Sequence, residues 1–191
     1  MTRWWWIRHG PTHQRTFTGW RDVPADLSDT DQIARLEAML PKEAVLISSD
    51  LIRAIDTATA VQASRTRLPH AHGLREFNFG DWDGLHFRDV SKRDPDLSRQ
   101  YWEEPGDIAP PNGESWNTAS RRATKIVDDL NAQGHSDIIA VAHFGIILTQ
   151  LQRASGRPAY QTLAQEVDPL SLTQLTHANG EWEVGLVNHI A

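Results

Sequence analysis

Five side chains, Arg8, His9, Arg53, Glu76 and His143, are of the types that phosphoryl transfer requires. A neutral imidazole nitrogen of His9 could attack phosphorus and carry the phosphoryl group as phosphohistidine. Arg8, Arg53 and a cationic or donor His143 could hold the three equatorial oxygens and spread their charge. A protonated Glu76 could give its proton to the leaving oxygen and then activate water for dephosphorylation. Burial and a nearby phosphate would both raise its pKa toward that role. Each residue alone also has an ordinary reading: Arg and His often neighbour one another, and Arg53 could form a surface salt bridge. What joins them is the place each takes at the end of an element.

Trp4-Trp5-Trp6-Ile7 is an apolar run that leads into Arg8-His9-Gly10, which predicts a buried strand reaching the rim of a sheet. Gly10 gives the backbone freedom to turn and leaves room for a ligand. The polar segment Pro11 to Pro24 predicts a loop of the kind that lines sites. Ser28 or Asp29 predicts the N-cap of a helix stopped by Pro41, and Ala44–Ile47 predicts a second buried strand. Ser48-Ser49-Asp50 then opens a helix from about Leu51 to Ala63 with Arg53 in its first turn, a ready place for an anion. Residues 74–84 predict a structured loop carrying Glu76, and 85–93 a short helix broken at Asp94-Pro95. A further loop, rich in proline, runs from Tyr101 to Ser115 and reads as a lid or pocket wall. A helix to Ala132 follows it. Asp137–Ala142 is the clearest strand, ending in His143-Phe144-Gly145 before another helix. The alternation at Leu170–Leu175, the Asn179-Gly180 turn and the run Trp182–Val187 predict a terminal hairpin. Strands alternating with helices predict α/β architecture with a mixed sheet.

At 191 residues the chain fits one domain over 1–191, with 39% hydrophobic and 23% charged residues typical of a globular protein. A net charge of −6 argues against nucleic acid or anionic membrane as partners, so any anion site must be a local concentration of arginine. The absence of cysteine excludes disulfides, thiolate metal sites and cysteine nucleophiles. No run approaches a membrane span and no signal-peptide pattern opens the chain, so a cytoplasmic location is expected. Most of the eight tryptophans are expected in the core or in pocket walls.

These residues together resemble the histidine phosphatase superfamily, which includes cofactor-dependent phosphoglycerate mutases and many small-molecule phosphatases. Arg8-His9-Gly10 is similar to its signature, and Ser48 to Ala54 with Thr57-Ala58 to its second arginine segment. Leu74-Arg75-Glu76 with Gly80, Trp82 and Gly84 resembles its acid loop, and Val141-Ala142-His143 its second-histidine strand. The resemblance implies a three-layer α/β/α fold with a central mixed, mostly parallel sheet. It also implies His9 as nucleophile, Arg8, Arg53 and His143 as phosphate pocket, Glu76 as proton donor, and no metal or other cofactor. Against the family pattern, Pro11 stands for an acidic residue, the loop to Gly19 is short, and Thr18 and Gly19 are the candidates left for phosphate contact. Asp50 replaces a common proline and would bring negative charge near the pocket. Phe144 replaces a glycine, narrowing the pocket while its amide stays able to donate.

The wall from Ser98 to Gly113 is short and acidic, with Glu103, Glu104 and Asp107 outweighing Arg99, which favours a phosphatase over a mutase. Its substrate would be a small phosphorylated metabolite and its product inorganic phosphate. Residues 101–105 and 113–115 resemble those of α-ribazole phosphatases, and Trp82, Trp102 and Trp116 could stack on a heterocycle or, as the more ordinary reading has it, pack the lid. Arg21 and Arg75 are secondary anion candidates. The terminal hairpin offers an edge for a homodimer. Two readings of another class compete: a metal hydrolase using His9, His143 and Glu76 as ligands, and a non-catalytic phosphate binder. Two arginines beside the same site would repel a divalent cation, and a binder needs neither nucleophile nor acid.

Overall fold

The structure, a computed structural model, describes residues 1–191. Its strands are β1 (Thr2–Arg8), β2 (Val45–Ser48), β3 (Thr66–Arg67), β4 (Asp137–Ala142), β5 (Leu172–Ala178) and β6 (Glu181–Val184). Its helices are α1 (Thr30–Met39), α2 (Ile52–Ala60), α3 (Phe87–Arg93), α4 (Pro95–Glu103), α5 (Trp116–Asn131), α6 (Phe144–Ser155) and α7 (Ala159–Leu163). One sheet runs in the order β3-β2-β4-β1-β5-β6, parallel from β3 to β1 and antiparallel through β5 and β6.

The two central strands read as unbroken apolar runs because both faces of the sheet are covered. In β1, Trp4 and Trp6 stack on one face with ring centroids 5.2 Å apart, and Ile7 enters the opposite core. In β4, Ile138, Ala140 and Ala142 join the first core while Ile139 and Val141 join the second. Ala119, Ala123 and Val127 of α5 and Ile146 and Ile147 of α6 fill the Trp4–Trp6 side. Ile33 and Leu36 of α1 and Ala54 and Ala58 of α2 fill the other. The result is the mixed, mostly parallel three-layer arrangement expected from the sequence.

Asp29 caps α1 by accepting from the Gln32 amide, and Ser115 caps α5 by accepting from Thr118. Several details depart from expectation. Tyr101, Trp102 and Glu103 are helical, in α4. Pro95 ends α3, yet it occupies the first turn of α4, where a missing N–H costs nothing. β3 and α7 are too short to show a period and were not foreseen. The α2 N-terminus is not open to an anion: no serine caps it, and the Ile52 amide donates to the Asp22 carboxylate at 2.7 Å. The edge offered for dimerisation, β6, carries exposed Glu181 and Glu183, charges that blunt strand pairing with a like edge. No helix is long and apolar enough to cross a membrane.

Candidate active site

The parallel register of β1 on β4 sets Arg8 opposite Ala142, so the next residues, His9 and His143, leave the sheet side by side. The His9 amide donates to the Ala142 carbonyl at 3.0 Å, and the two imidazole centroids lie 5.1 Å apart. His9 Nδ1 sits 2.7 Å from the Gly10 carbonyl, an acceptor only, which places the proton on Nδ1 and leaves a lone pair on Nε2. Arg53 Nε donates to that lone pair at 3.3 Å. Burial, and then the charges of Arg53 and Arg8, push the His9 pKa down to about 3, so the ring is neutral near pH 7. His143 is wholly buried, and burial followed by Arg53 holds its pKa well below the usual histidine value. Neither of its ring nitrogens has a partner within the protein.

α2 delivers Arg53 and Thr57 to the same place. The Thr57 hydroxyl accepts from the Gly10 amide at 2.9 Å and donates to the Arg53 carbonyl at 2.7 Å, locking helix to strand end. Arg53 is braced by the carbonyls of Arg21 at 2.9 Å and Gly19 at 2.7 Å. Arg8 donates to the Val167 carbonyl at 2.6 Å, lies over the Phe144 ring, and keeps a buried Nε without a partner. No carboxylate is hydrogen-bonded to either guanidinium. The buried Glu76 accepts from the Phe77 amide at 2.9 Å and the Gly145 amide at 3.2 Å. Burial raises its pKa despite these bonds and the charges of Arg53 and Arg8.

Arg8, His9, Arg53 and Glu76 open on a pocket of about 360 Å³, whose lining includes Thr18 and Phe144; His143, wholly buried, is not among its lining residues. Thr12, Gln14, Thr16, Phe17 and Phe79 complete it; the first four lie in the loop expected over Pro11 to Pro24, and Phe79 lies in the loop that carries Glu76. The remaining candidates stand elsewhere. The Gly19 amide donates to Asp83 and is not free for phosphate. Arg21 braces the loop, binding Asp83, Gln14, Thr16 and Thr18. Trp82 is fully buried, edge-on to Tyr101, with its indole N–H on Asp94 at 2.8 Å. Trp116 is buried likewise, bonded to Gln152. Trp102 stacks behind Phe17 at 5.9 Å and lines a small apolar recess beside Glu76 and Phe144. Asp50 brings no free charge, because Arg75 engages both of its oxygens at 2.7 and 2.9 Å. At Gly10 the space is taken by the returning chain: a Cβ would meet Leu27 Cδ2 at 2.7 Å.

Known proteins place this arrangement. The chain is 31% identical over 193 residues to a bifunctional protein of Mycobacterium tuberculosis, covering 95% of this chain and 52% of that one. It thus spans about half the length of that curated relative. It is 29% identical to the adenosylcobalamin/alpha-ribazole phosphatase of Escherichia coli over 82% of this chain and 81% of that one. The native structure of a mycobacterial glucosyl-3-phosphoglycerate phosphatase superposes on the whole chain with a TM-score of 0.85 at 26% identity, covering 100% of both. A family profile matches residues 4–190, nearly end to end, and with it the chain belongs to the histidine phosphatase superfamily, branch 1.

Proposed function

We propose that the chain is a phosphomonoesterase for a small phosphorylated metabolite, working through a phosphohistidine on His9. The observation that carries this reading is the His9 ring, held neutral with its Nε2 lone pair on the buried Arg53 guanidinium and the half-buried Arg8 nearby, neither of them hydrogen-bonded to a carboxylate. Nε2 attacks phosphorus as the ester P–O bond breaks, and Glu76 gives its proton to the departing alkoxide. Arg8, Arg53 and His143 hold the equatorial oxygens; the orphaned nitrogens of His143 and Arg8 Nε favour that role. Water then loses a proton to the Glu76 carboxylate and attacks phosphorus. The P–N bond breaks, and inorganic phosphate leaves with Glu76 protonated again.

The phosphatase-named relatives support hydrolysis over mutase transfer. The aromatic and hydroxyl-bearing wall of Phe17, Phe79, Phe144, Thr12 and Thr16 offers no third cation for a second anionic group on the substrate. The test is phosphate release from a panel of phosphomonoesters by the wild type and by His9→Ala, each with and without chelator. Release that survives chelator and vanishes in the variant is expected. Loss with chelator would favour the metal-hydrolase reading, interconversion of phosphoglycerates a mutase, and silence across the panel a binding module.

A further inference from the structure

A proton donor must hold its place to a fraction of an ångström, since small misplacements cost large factors in rate. Yet Glu76 stands on an irregular segment between two short 3₁₀ turns, His72–Leu74 and Gly80–Trp82. Its two carboxylate bonds fix the tip, and the backbone beneath needs its own anchor. Arg122 of α5 reaches that backbone from behind. Nη1 donates to the carbonyls of Gly73 at 2.9 Å and Arg75 at 2.6 Å, and Nη2 to that of Glu76 itself at 2.8 Å. The same guanidinium is paired with Glu114, through Nε at 3.1 Å and through Nη2.

Glu114 closes the grip from the far side. Its carboxylate accepts from the Asn78 amide at 2.9 Å, while its own amide donates to the Asn78 carbonyl at 2.9 Å. One ion pair therefore holds residues 73–76 and 78 together. Both partners are largely buried, with side chains 17% and 10% exposed. Gly73 permits the approach, because a Cβ there would lie 3.1 Å from the Arg122 carbonyl and 2.7 Å from Ile126. A pair serving only to seal α5 against its neighbours would have no need to concentrate three donations on this one segment.

We propose that Arg122, oriented by Glu114, is a positioning residue for the Glu76 carboxyl. Arg122 does not line the pocket, and the inference rests on Glu76 being the proton donor.

Leaving-group chemistry separates positioning from general support. A p-nitrophenolate departs without a proton and an alkoxide does not, and kcat/KM reports only the steps up to alcohol release. The experiment compares kcat/KM for p-nitrophenyl phosphate and for a simple alkyl phosphate in the wild type, Glu76→Ala, Arg122→Lys and Glu114→Gln. Arg122→Lys keeps the charge but cannot span three carbonyls and a carboxylate. It is expected to lose about a hundredfold on the alkyl ester, with KM little moved, and to stay close to wild type on the nitrophenyl ester. Glu114→Gln keeps size and one hydrogen bond, should fold where Arg122→Lys does not, and is expected to show the same split in smaller measure. Equal losses on both esters, or no loss on the alkyl ester, would overturn the positioning role while Glu76→Ala still shows the split. If Glu76→Ala shows no split either, the donor assignment fails first, and the inference with it.

Discussion

His9 owes its proposed reactivity to what meets each of its nitrogens: a carbonyl fixes the proton on Nδ1 and guanidiniums discourage a second proton on Nε2. An imidazole with a pKa near 3 does not titrate in the usual range. The kcat/KM profile of an alkyl phosphate should therefore show no loss that follows protonation of this ring near pH 6.5. It should fall on the alkaline side as Glu76 gives up its proton through its raised pKa. A rate measurement from pH 4 to 9, corrected for the substrate's own ionisation, checks both limbs; an acid limb near 6.5 that stays after correction would contradict the buried neutral ring. Gly145 supplies a second test. A Cβ at that position would stand 2.6 Å from Glu76 Oε1 and 3.2 Å from the Phe77 ring, so Gly145→Ala should displace the carboxyl. The overpacking should cost about 1–3 kcal/mol of stability, read by denaturant unfolding, with a larger loss on alkyl esters than on p-nitrophenyl phosphate. Arg8, His9, Arg53 and His143 were legible because they stand at a strand end or in the first turn of a helix, whereas Glu76, on an irregular segment, was legible only through the acid loop it resembles. Most of the tryptophans were expected in the core or in pocket walls, and Trp82 and Trp116 went to the core, where each found a hydrogen-bond partner and neither is left to stack on a ligand.

At the scale of elements, one register decides the site. Had β1 slipped by a single residue on β4, His9 and His143 would face opposite sides of the sheet. The two strand ends were readable, since each apolar run leads into a histidine, but their pairing was not, because an apolar run does not name its neighbour in the sheet. Nor was the course of residues 11–24, because a loop has no period to read. Its shape comes from scattered polar bonds: Asp83 accepts from the amides of Gly19 and Arg21, and Asp22 caps α2 from a distance. Serines at the start of α2 suggested a cap, but the nearer geometric solution was the Asp22 carboxylate, thirty positions back in the chain. Asp22→Ala should cost about 1 kcal/mol in unfolding experiments, the ordinary worth of an N-cap. Asp83→Ala releases the two amides and the Arg21 guanidinium together, and with them the wall formed by Thr16, Phe17 and Thr18. It should raise KM with little change in kcat, since the wall meets the substrate but not the reacting bond. A fall in kcat at constant KM would mean that the loop also positions Arg53, whose guanidinium rests on the Gly19 and Arg21 carbonyls.

The whole molecule carries the consequence of burying these groups. A chain of net charge −6 gathers Arg8, His9 and Arg53 at one pocket, with His143 buried beside His9, so the composition of the pocket opposes that of the chain. His9 has a lower pKa folded, about 3, than unfolded, near 6.5. Between those values the unfolded chain binds a proton that the folded ring refuses. Its contribution to stability is therefore full above pH 6.5 and drains as pH falls, reaching a loss of about 2 kcal/mol by pH 5. His143, depressed in the same sense, adds to the slope. Glu76 acts oppositely: its folded pKa lies above its ordinary value of 4.5, so its contribution is full below that value and is lost as pH rises through the folded pKa. The opposing slopes hide each other in a single unfolding curve, and a difference of differences exposes them. Urea unfolding of wild type and His9→Ala at pH 7.5 and pH 5 removes the pH-independent cost of the truncation and the Glu76 slope; His143, 5.1 Å from His9 and lowered in part by it, is coupled to the truncated ring, so His143→Ala and the double variant complete the cycle. The variant should lose about 2 kcal/mol less than wild type between the two pH values. Equal losses would mean that His9 takes up its proton in the folded state after all, and a ring that does so near pH 6.5 would need Glu76 or the substrate to remove that proton before Nε2 could attack phosphorus.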